Sequence, residues 1–445
     1  MSDLESKTTA AAGSIDSASD VESRKMSDAA PAPGAPLAPA MAPPPNGGLK
    51  AWLQVLGAFL IVLNTWGLAN SFGVFQAYYS TTLLVTSSPS SISWIGSIQG
   101  FLLLFIGVFC GRAFDAGHLY PVAALGIFLE VFGMMMTSLS TKYYQVFLAQ
   151  GLCVGLGSGC LFTPAISLVG QYFSTKRGLA TGIAAAGSSV GGIIFPVVIS
   201  RLIDSIGFPW AVRVMAFIML ATLGLGLALL RPRLPPRPVG PIVDFSAFHD
   251  TAYTTFVIGL ALGFMAFFIP FFYAETYALN IGIDSQMSFY ILIIMNAGGL
   301  IGRLLPNAIG DRIGHLNVIV PCAYLSGVCV FAWTSVHTTG SLIATSFLYS
   351  LISGGLMALP PAVLVALSPD LRQIGVRVGM ALTVGSLGVL IGPPIAGAIL
   401  ARQNSGSEAH DYNGVLIFTG VAMLVCGAFM SATRVIKKGV ALAKV

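Results

Sequence analysis

Arg303 stands in the run Asn296-Ala-Gly-Gly-Leu-Ile-Gly302-Arg303-Leu-Leu-Pro306, well inside an apolar stretch long enough to cross a bilayer. A charge at mid-membrane costs roughly 2.5–3.5 kcal/mol on insertion scales, so an ionisable residue there marks a functional position by default. The planar guanidinium is the side chain best shaped for a two-point grip on a carboxylate. The competing reading is an arginine whose head snorkels to the nearer interface. Asn296 lies two turns earlier in the same run. Asn70 and Gln76 interrupt another, in Asn70-Ser71-Phe-Gly73-Val-Phe-Gln76. Cavity lining and interhelical hydrogen bonding are both open to these amides. Glu130 is the carboxylate that falls clearly within an apolar span. It is either a protonatable coupling group or a hydrogen-bonded acid that faces protein.

The elements that carry these residues are set by composition. Hydrophobic residues make up 55% of the 445-residue chain and charged residues only 9%, against about 25% charged in a soluble domain. Runs near 51–78, 91–111, 119–139, 144–170, 178–200, 209–230, 250–274, 286–306, 316–336, 340–367, 375–400 and 412–433 are each long enough for a ~30 Å hydrocarbon layer. They lack the two-residue alternation of a membrane barrel, so they are read as helices. Two stretches recur about 200 residues apart, a spacing that splits the chain into parallel halves as in many secondary transporters. Gly187-Ser188 with Pro196 matches Gly385-Ser386 with Pro394, and Asp115 matches Asp311. The expected fold is an all-α integral membrane protein: twelve transmembrane helices in two pseudo-symmetric six-helix bundles, 47–230 and 247–436. A basic, Pro-rich linker (231–246) joins the bundles as an exposed hinge. Residues 1–46, rich in Ser, Ala and Pro, are expected to be a disordered tail, and 437–445 a second tail.

Charge placement gives orientation. Loops and flanks on the side of Lys50 and Arg112 carry thirteen basic residues, and the opposite side carries only Lys142, Arg201 and Arg402. That asymmetry predicts cytoplasmic termini. The six cysteines lie in apolar segments without a C-x-x-C pair, and the five histidines lie at helix ends or in loops, so no metal or cofactor is expected. No G-x-x-x-x-G-K-[ST] loop occurs, which argues against ATP as a partner. The basic excess sits in short loops, a topology signal rather than a nucleic-acid footprint. Paired catalytic acids, a Ser/His pair or a His cluster at membrane depth are missing, so no enzyme is expected.

Gly111-Arg112-Ala-Phe-Asp115 and Gly310-Asp311-Arg312 each place an acid and a guanidinium beside glycine, in what reads as the loop after helix 2 and helix 8. An acid beside an arginine can form a charge-assisted latch. Both resemble the loop signature of the major facilitator superfamily, where these residues form a cytoplasmic gate. Asn46-Gly47-Gly48-Leu49-Lys50-Ala51-Trp52, Tyr172-Phe173-Ser-Thr-Lys176-Arg177-Gly178 and Ala186-Gly187-Ser188-Ser189 together resemble the superfamily's monocarboxylate-porter branch, fungal members above all. The branch commonly has an acid at the position of Asn46, and its mammalian members an aspartate at that of Gly299. The resemblance implies that Arg303 binds a substrate carboxylate. It implies a secondary active transporter of a small organic anion working by alternating access in the plasma membrane, with a proton as candidate co-substrate. Efflux of a secondary metabolite, or carriage of a neutral or riboflavin-like compound, is the alternative; a transport-derived nutrient sensor is a more distant one.

Overall fold

The computed structural model describes residues 44–174, 176–236, 244–368, 374–404 and 411–439. The tail up to residue 43, the linker centre with Arg237 and Pro241, and the final residues from 440 lie outside the described residues. Every regular element among those described is helical. In chain order they are α1 (Leu49–Leu83), α2 (Pro89–Asp115), α3 (Leu119–Thr137) and α4 (Tyr143–Tyr172), then α5 and α6, the two arms of Arg177–Leu229. The remainder are α7 (Thr251–Asn280), α8 (Ser285–Ile313), α9 (His315–Trp333), α10 (Thr339–Leu367), α11 (Ile374–Gln403) and α12 (Asn413–Lys438).

Eleven of these stretches are apolar and long enough to cross a bilayer, and one of them runs for 52 residues. At 1.5 Å per residue that stretch is about 80 Å long, far more than one ~30 Å crossing. Gly207 breaks it with φ 76°, a conformation glycine adopts without a Cβ penalty. Pro209 follows in the first turn of α6, where a missing N–H costs nothing. The stretch is therefore two crossings, which makes twelve among the described residues and puts residues 44 and 439 on one face. We call that face lower and the opposite one upper.

Helix starts are specified locally. The Ser88 hydroxyl accepts from Ser91 N at 3.1 Å and Pro89 occupies the first turn of α2. The Asp250 carboxylate accepts from Ala252 N and Tyr253 N at 3.1 and 3.3 Å at the start of α7. Two expectations need correcting. Helix α7 continues past residue 274 to Asn280, because Tyr277 and Ala278 are buried and packing carries the helix on after the hydropathy falls. The Gly111–Asp115 and Gly310–Arg312 motifs are not loops but the last turns of α2 and α8. The chain turns only at Gly117 and Gly314, at φ 91° and 103°, as helix-ending glycines do.

Without water to drive association, helices in lipid hold together by close contact through small residues. Gly151, Gly155 and Gly159 present one smooth face of α4, which lies on Ile95, Gln99, Leu102 and Ile106 of α2. Helix α1 packs on α5 and α6, α3 on α4, α7 on α11 and α12, and α8 on α10. Between the first six helices and the last six, α2 meets α11, α5 meets α8, and the upper end of α1 meets α7.

On the lower face the first linker residues are strapped down rather than free. Arg231 N donates to Gln54 Oε1 at 2.7 Å, the Tyr172 hydroxyl donates to Arg231 O at 2.8 Å, and Arg233 N donates to Gln171 Oε1 at 2.9 Å. Asn46 fastens the start of α1 in the same manner. Its Oδ1 accepts from Ser174 N at 2.7 Å and from Ser174 Oγ at 3.1 Å.

Candidate functional site

A cavity of about 100 Å³ lies between the first six helices and the last six. Val62 and Trp66 of α1, Leu104 of α2, Phe162 of α4 and Ser188 of α5 line one side. Phe264 of α7, Arg303 of α8, Met357 with Pro360 and Pro361 of α10, and Leu382 of α11 line the other. Each residue lies at or below the middle of its helix, so the cavity belongs to the lower half of the bundle.

Above it the two sides are closed on each other. Trp66 stacks on Phe268 with ring centroids 6.0 Å apart and planes at 5°, and Phe72 meets Phe272 at 4.7 Å. The Ser93 and Tyr273 hydroxyls lie 2.6 Å apart, and Ser90 Oγ donates to Pro394 O at 2.8 Å. The described state is thus sealed at the upper face.

Arg303 turns into the protein and does not snorkel; it is 5% exposed. Its Nη1 donates to the Ser189 hydroxyl of α5, a bond that joins the two sets of helices. Among the described residues it forms no ion pair. A guanidinium has five N–H donors, and a single neutral hydroxyl leaves most of them for a ligand.

The other predicted residues are dispersed around this cavity. Asn70 is one turn above Trp66 on the same face of α1; its Nδ2 donates to Ser188 O at 3.4 Å and its buried Oδ1 has no hydrogen-bond partner. Asn296 lies two turns above Arg303. Its Nδ2 donates to Leu292 O at 2.9 Å, while its Oδ1 is unbonded and its carboxamide rests on Gly192 of α5. Gln76 belongs to the upper seal instead, accepting from Ser93 Oγ at 3.5 Å. Glu130 is at the α3–α4 seam, where it accepts from the Ser158 hydroxyl and its Oε2 is unbonded. It does not line the cavity.

At the lower face Asp311 pairs with His315, Oδ1 to Nε2, at 3.3 Å. Its Oδ2 lies 3.5 Å from where a Cβ on Gly178 of α5 would stand, so this acid faces the opposite set of helices. Gly310 packs on the His315 ring and Gly111 on Thr163 of α4. Arg112 and Arg312 occupy the last turns of α2 and α8. Asp115 lines a separate recess of about 320 Å³ with Gly117, Gln171 and the strap residues Pro232 and Pro235.

Reading the chain alone missed three features. Glu275 is a second carboxylate within a span, placed there by the longer α7, with Oε2 buried and unbonded. Ser189, the partner of Arg303, was legible only as part of the Ala186–Gly191 motif. The aromatic lining of Trp66, Phe162 and Phe264 is invisible to periodicity, because helices that are apolar all round do not declare which face turns inward.

With this geometry in view, the chain can be compared with known proteins. The Major Facilitator Superfamily profile matches residues 54–339 and 297–442. The MFS-type transporter dbaD of Emericella nidulans is 44% identical over 383 residues, covering 86% of this chain and 85% of that protein. The aspyridones efflux protein apdF of Emericella nidulans is 38% identical, covering 89% and 81%. The agnestins efflux protein AgnL12 of Paecilomyces divaricatus is also 38% identical, covering 88% and 89%. A crystal structure of a mutant of the nucleoside transporter NupG superposes with a TM-score of 0.66 at 16% identity, covering 86% of this chain and 99% of that one, a likeness of fold alone. A sealed upper face, a cavity between two sets of six helices and these matches lead to one conclusion: the chain belongs to the Major Facilitator Superfamily and is a multi-pass membrane transporter.

Proposed function

We propose that this protein exports a small, largely apolar organic acid by alternating access between two six-helix bundles. The carrying observation is Arg303: a buried guanidinium in a cavity lined mostly by apolar and aromatic side chains, bonded to the Ser189 hydroxyl and, among the described residues, paired with no carboxylate. A buried charge without a counter-charge is costly, and an anionic substrate relieves that cost. Export, rather than uptake, is supported by the relatives whose names give them as efflux proteins for aspyridones and agnestins. The monocarboxylate-porter likeness supports the acid, and the secondary-metabolite exporters support its larger apolar body. Loop charge supports a cytoplasmic lower face, and export out of the cell requires the plasma membrane. On this reading the substrate is taken up from the lower face when the latch there is released, and the upper seal opens to release it. Asp311, facing Gly178 and paired with His315, acts as the lower latch together with the Arg112–Asp115 turn.

The test is metabolite profiling of a deletion strain beside an overexpressing strain, followed by surface-normalised efflux of the compound found. Arg303→Lys keeps the charge but loses the planar fork. It should cost roughly tenfold or more in flux at normal abundance, the size of a lost hydrogen bond to a charged group. Arg303→Leu should abolish flux. Full activity of the leucine variant would overturn the acid and favour a neutral or riboflavin-like cargo.

A further inference from the structure

Trp66 occupies an unusual corner. Below, it forms part of the cavity wall that also contains Arg303. On one side Phe162 of α4 meets it edge-on, with centroids 5.7 Å apart and planes at 84°. On another, Phe268 of α7 lies parallel to it, in the stack that closes the upper face. A flat ring entering this right-angled corner parallel to one wall is edge-on to the other. Both are favoured aromatic geometries, since ring faces are negative and ring edges positive. A saturated ring of the same carbon skeleton is thicker and has no quadrupole, so it gains neither. Arg303 adds a planar cation suited both to a carboxylate and to an aromatic face. At about 100 Å³ the cavity is smaller than the apolar cavity of about 150 Å³ that holds a benzene ring, so a cargo ring must push its walls apart, and the thinner, flat ring pushes them least.

From this we infer that the cavity selects planar conjugated acids over aliphatic acids of equal size, and that Trp66 is the residue that makes the selection. The inference rests on the organic-acid reading above and narrows it. Trp66 touches both cargo space and upper seal, so a flat cargo also bears on the ring that must leave Phe268 when the upper face opens. Selection is therefore expressed in transport rate as well as in binding.

The experiment uses the full chain in proteoliposomes, with benzoate, cyclohexanecarboxylate and benzamide as probes, and reads both equilibrium binding and flux. Benzoate should bind about tenfold more tightly than cyclohexanecarboxylate, the size of one to two aromatic-pair contributions. Benzamide, which lacks the charge, should bind far more weakly than benzoate. Trp66→Leu should bring the benzoate-to-cyclohexanecarboxylate ratio close to one while Arg303→Leu still abolishes binding of both. Trp66→Phe should restore most of the ratio. Equal binding of the two acids by the unaltered protein, both requiring Arg303, would overturn the planar-acid inference and leave the organic-acid reading standing; that comparison needs no variant to fold. Binding of benzamide as tight as benzoate, binding that survives Arg303→Leu, or no binding of either acid would overturn the organic-acid reading and the inference with it.

Discussion

Gly191 and Gly192 are neighbours in α5 that face different partners, and a methyl group on each should have different consequences. On Gly191 it would stand 2.9 Å from the Gly67 Cα of α1, a contact inside the first six helices. On Gly192 it would stand 2.8 Å from the Asn296 Nδ2 of α8, and nearer still to Oδ1, a contact between the two sets. Overpacking a filled contact costs about 1–3 kcal/mol. For Gly191→Ala that penalty falls on every state in which α1 and α5 stay packed, so folded protein should be scarcer. For Gly192→Ala it falls on the state with the upper face closed, at the lower end of that range, because the atoms met are the end of the Asn296 side chain and not backbone. A shift of about 1 kcal/mol corresponds to about a fivefold rise in the minor, upper-open population. The reporter is Ser93→Cys, since Ser93 is buried at the seal against Tyr273. Intact cells are treated with a membrane-impermeant thiol reagent, and labelling is compared with a parent that keeps Ser93. Adding Gly192→Ala should speed labelling by that factor at near-normal abundance. Labelling at the unaltered rate, or an equal acceleration by Gly191→Ala, would refute the argument. Labelling only in broken cells would reverse the assigned orientation.

Two further outcomes concern the carboxylates. Glu130→Gln keeps an acceptor for Ser158 and should leave abundance normal; if Glu130 carries a coupling proton, efflux of this variant no longer responds to an imposed pH gradient. An unaltered response in that flux assay assigns Glu130 only its bond across the α3–α4 seam. Asp311→Ala should shift the balance between lower-open and lower-closed states two- to fivefold towards the open one, the worth of a largely exposed polar contact, with substrate affinity nearly unchanged. Weakened binding with normal exchange, read by substrate titration and counterflow, would refute the latch.

The chain announces its crossings plainly because lipid leaves few alternatives: a long apolar run must satisfy its own backbone and therefore coils. What it announces poorly is direction. Asn70, Gln76 and Asn296 are equally conspicuous as amides in apolar runs, yet Gln76 belongs to the upper seal, Asn296 to the α5–α8 seam, and Asn70 reaches a cavity-wall residue. An amide in a membrane helix must face protein, but its own sequence does not say which protein surface. Arg303 was easier to read, since a guanidinium so deep must meet either the interface or a cavity, and Ser189 settles which. Glu275 was missed for the opposite reason: the end of α7 is held by buried Tyr277, whose hydroxyl donates to Trp333 O at 3.0 Å, a tertiary cause that hydropathy does not register.

The strap on the lower face sets a mechanical limit. Because Arg231, Arg233 and Leu234 are bonded to Gln54 and Gln171, and Asp244 N donates to Met380 Sδ of α11, the two bundles are joined covalently by the length of chain from residue 234 to residue 244. Ten residues of chain reach at most about 36 Å when fully drawn out. That segment acts as a leash whose length bounds how wide the entrance can gape and how bulky a cargo can pass. Lengthening a loop carries little thermodynamic penalty, since closure entropy grows only with the logarithm of length. Excising residues brings the stop closer, and below some length the largest cargoes are refused while small ones still pass.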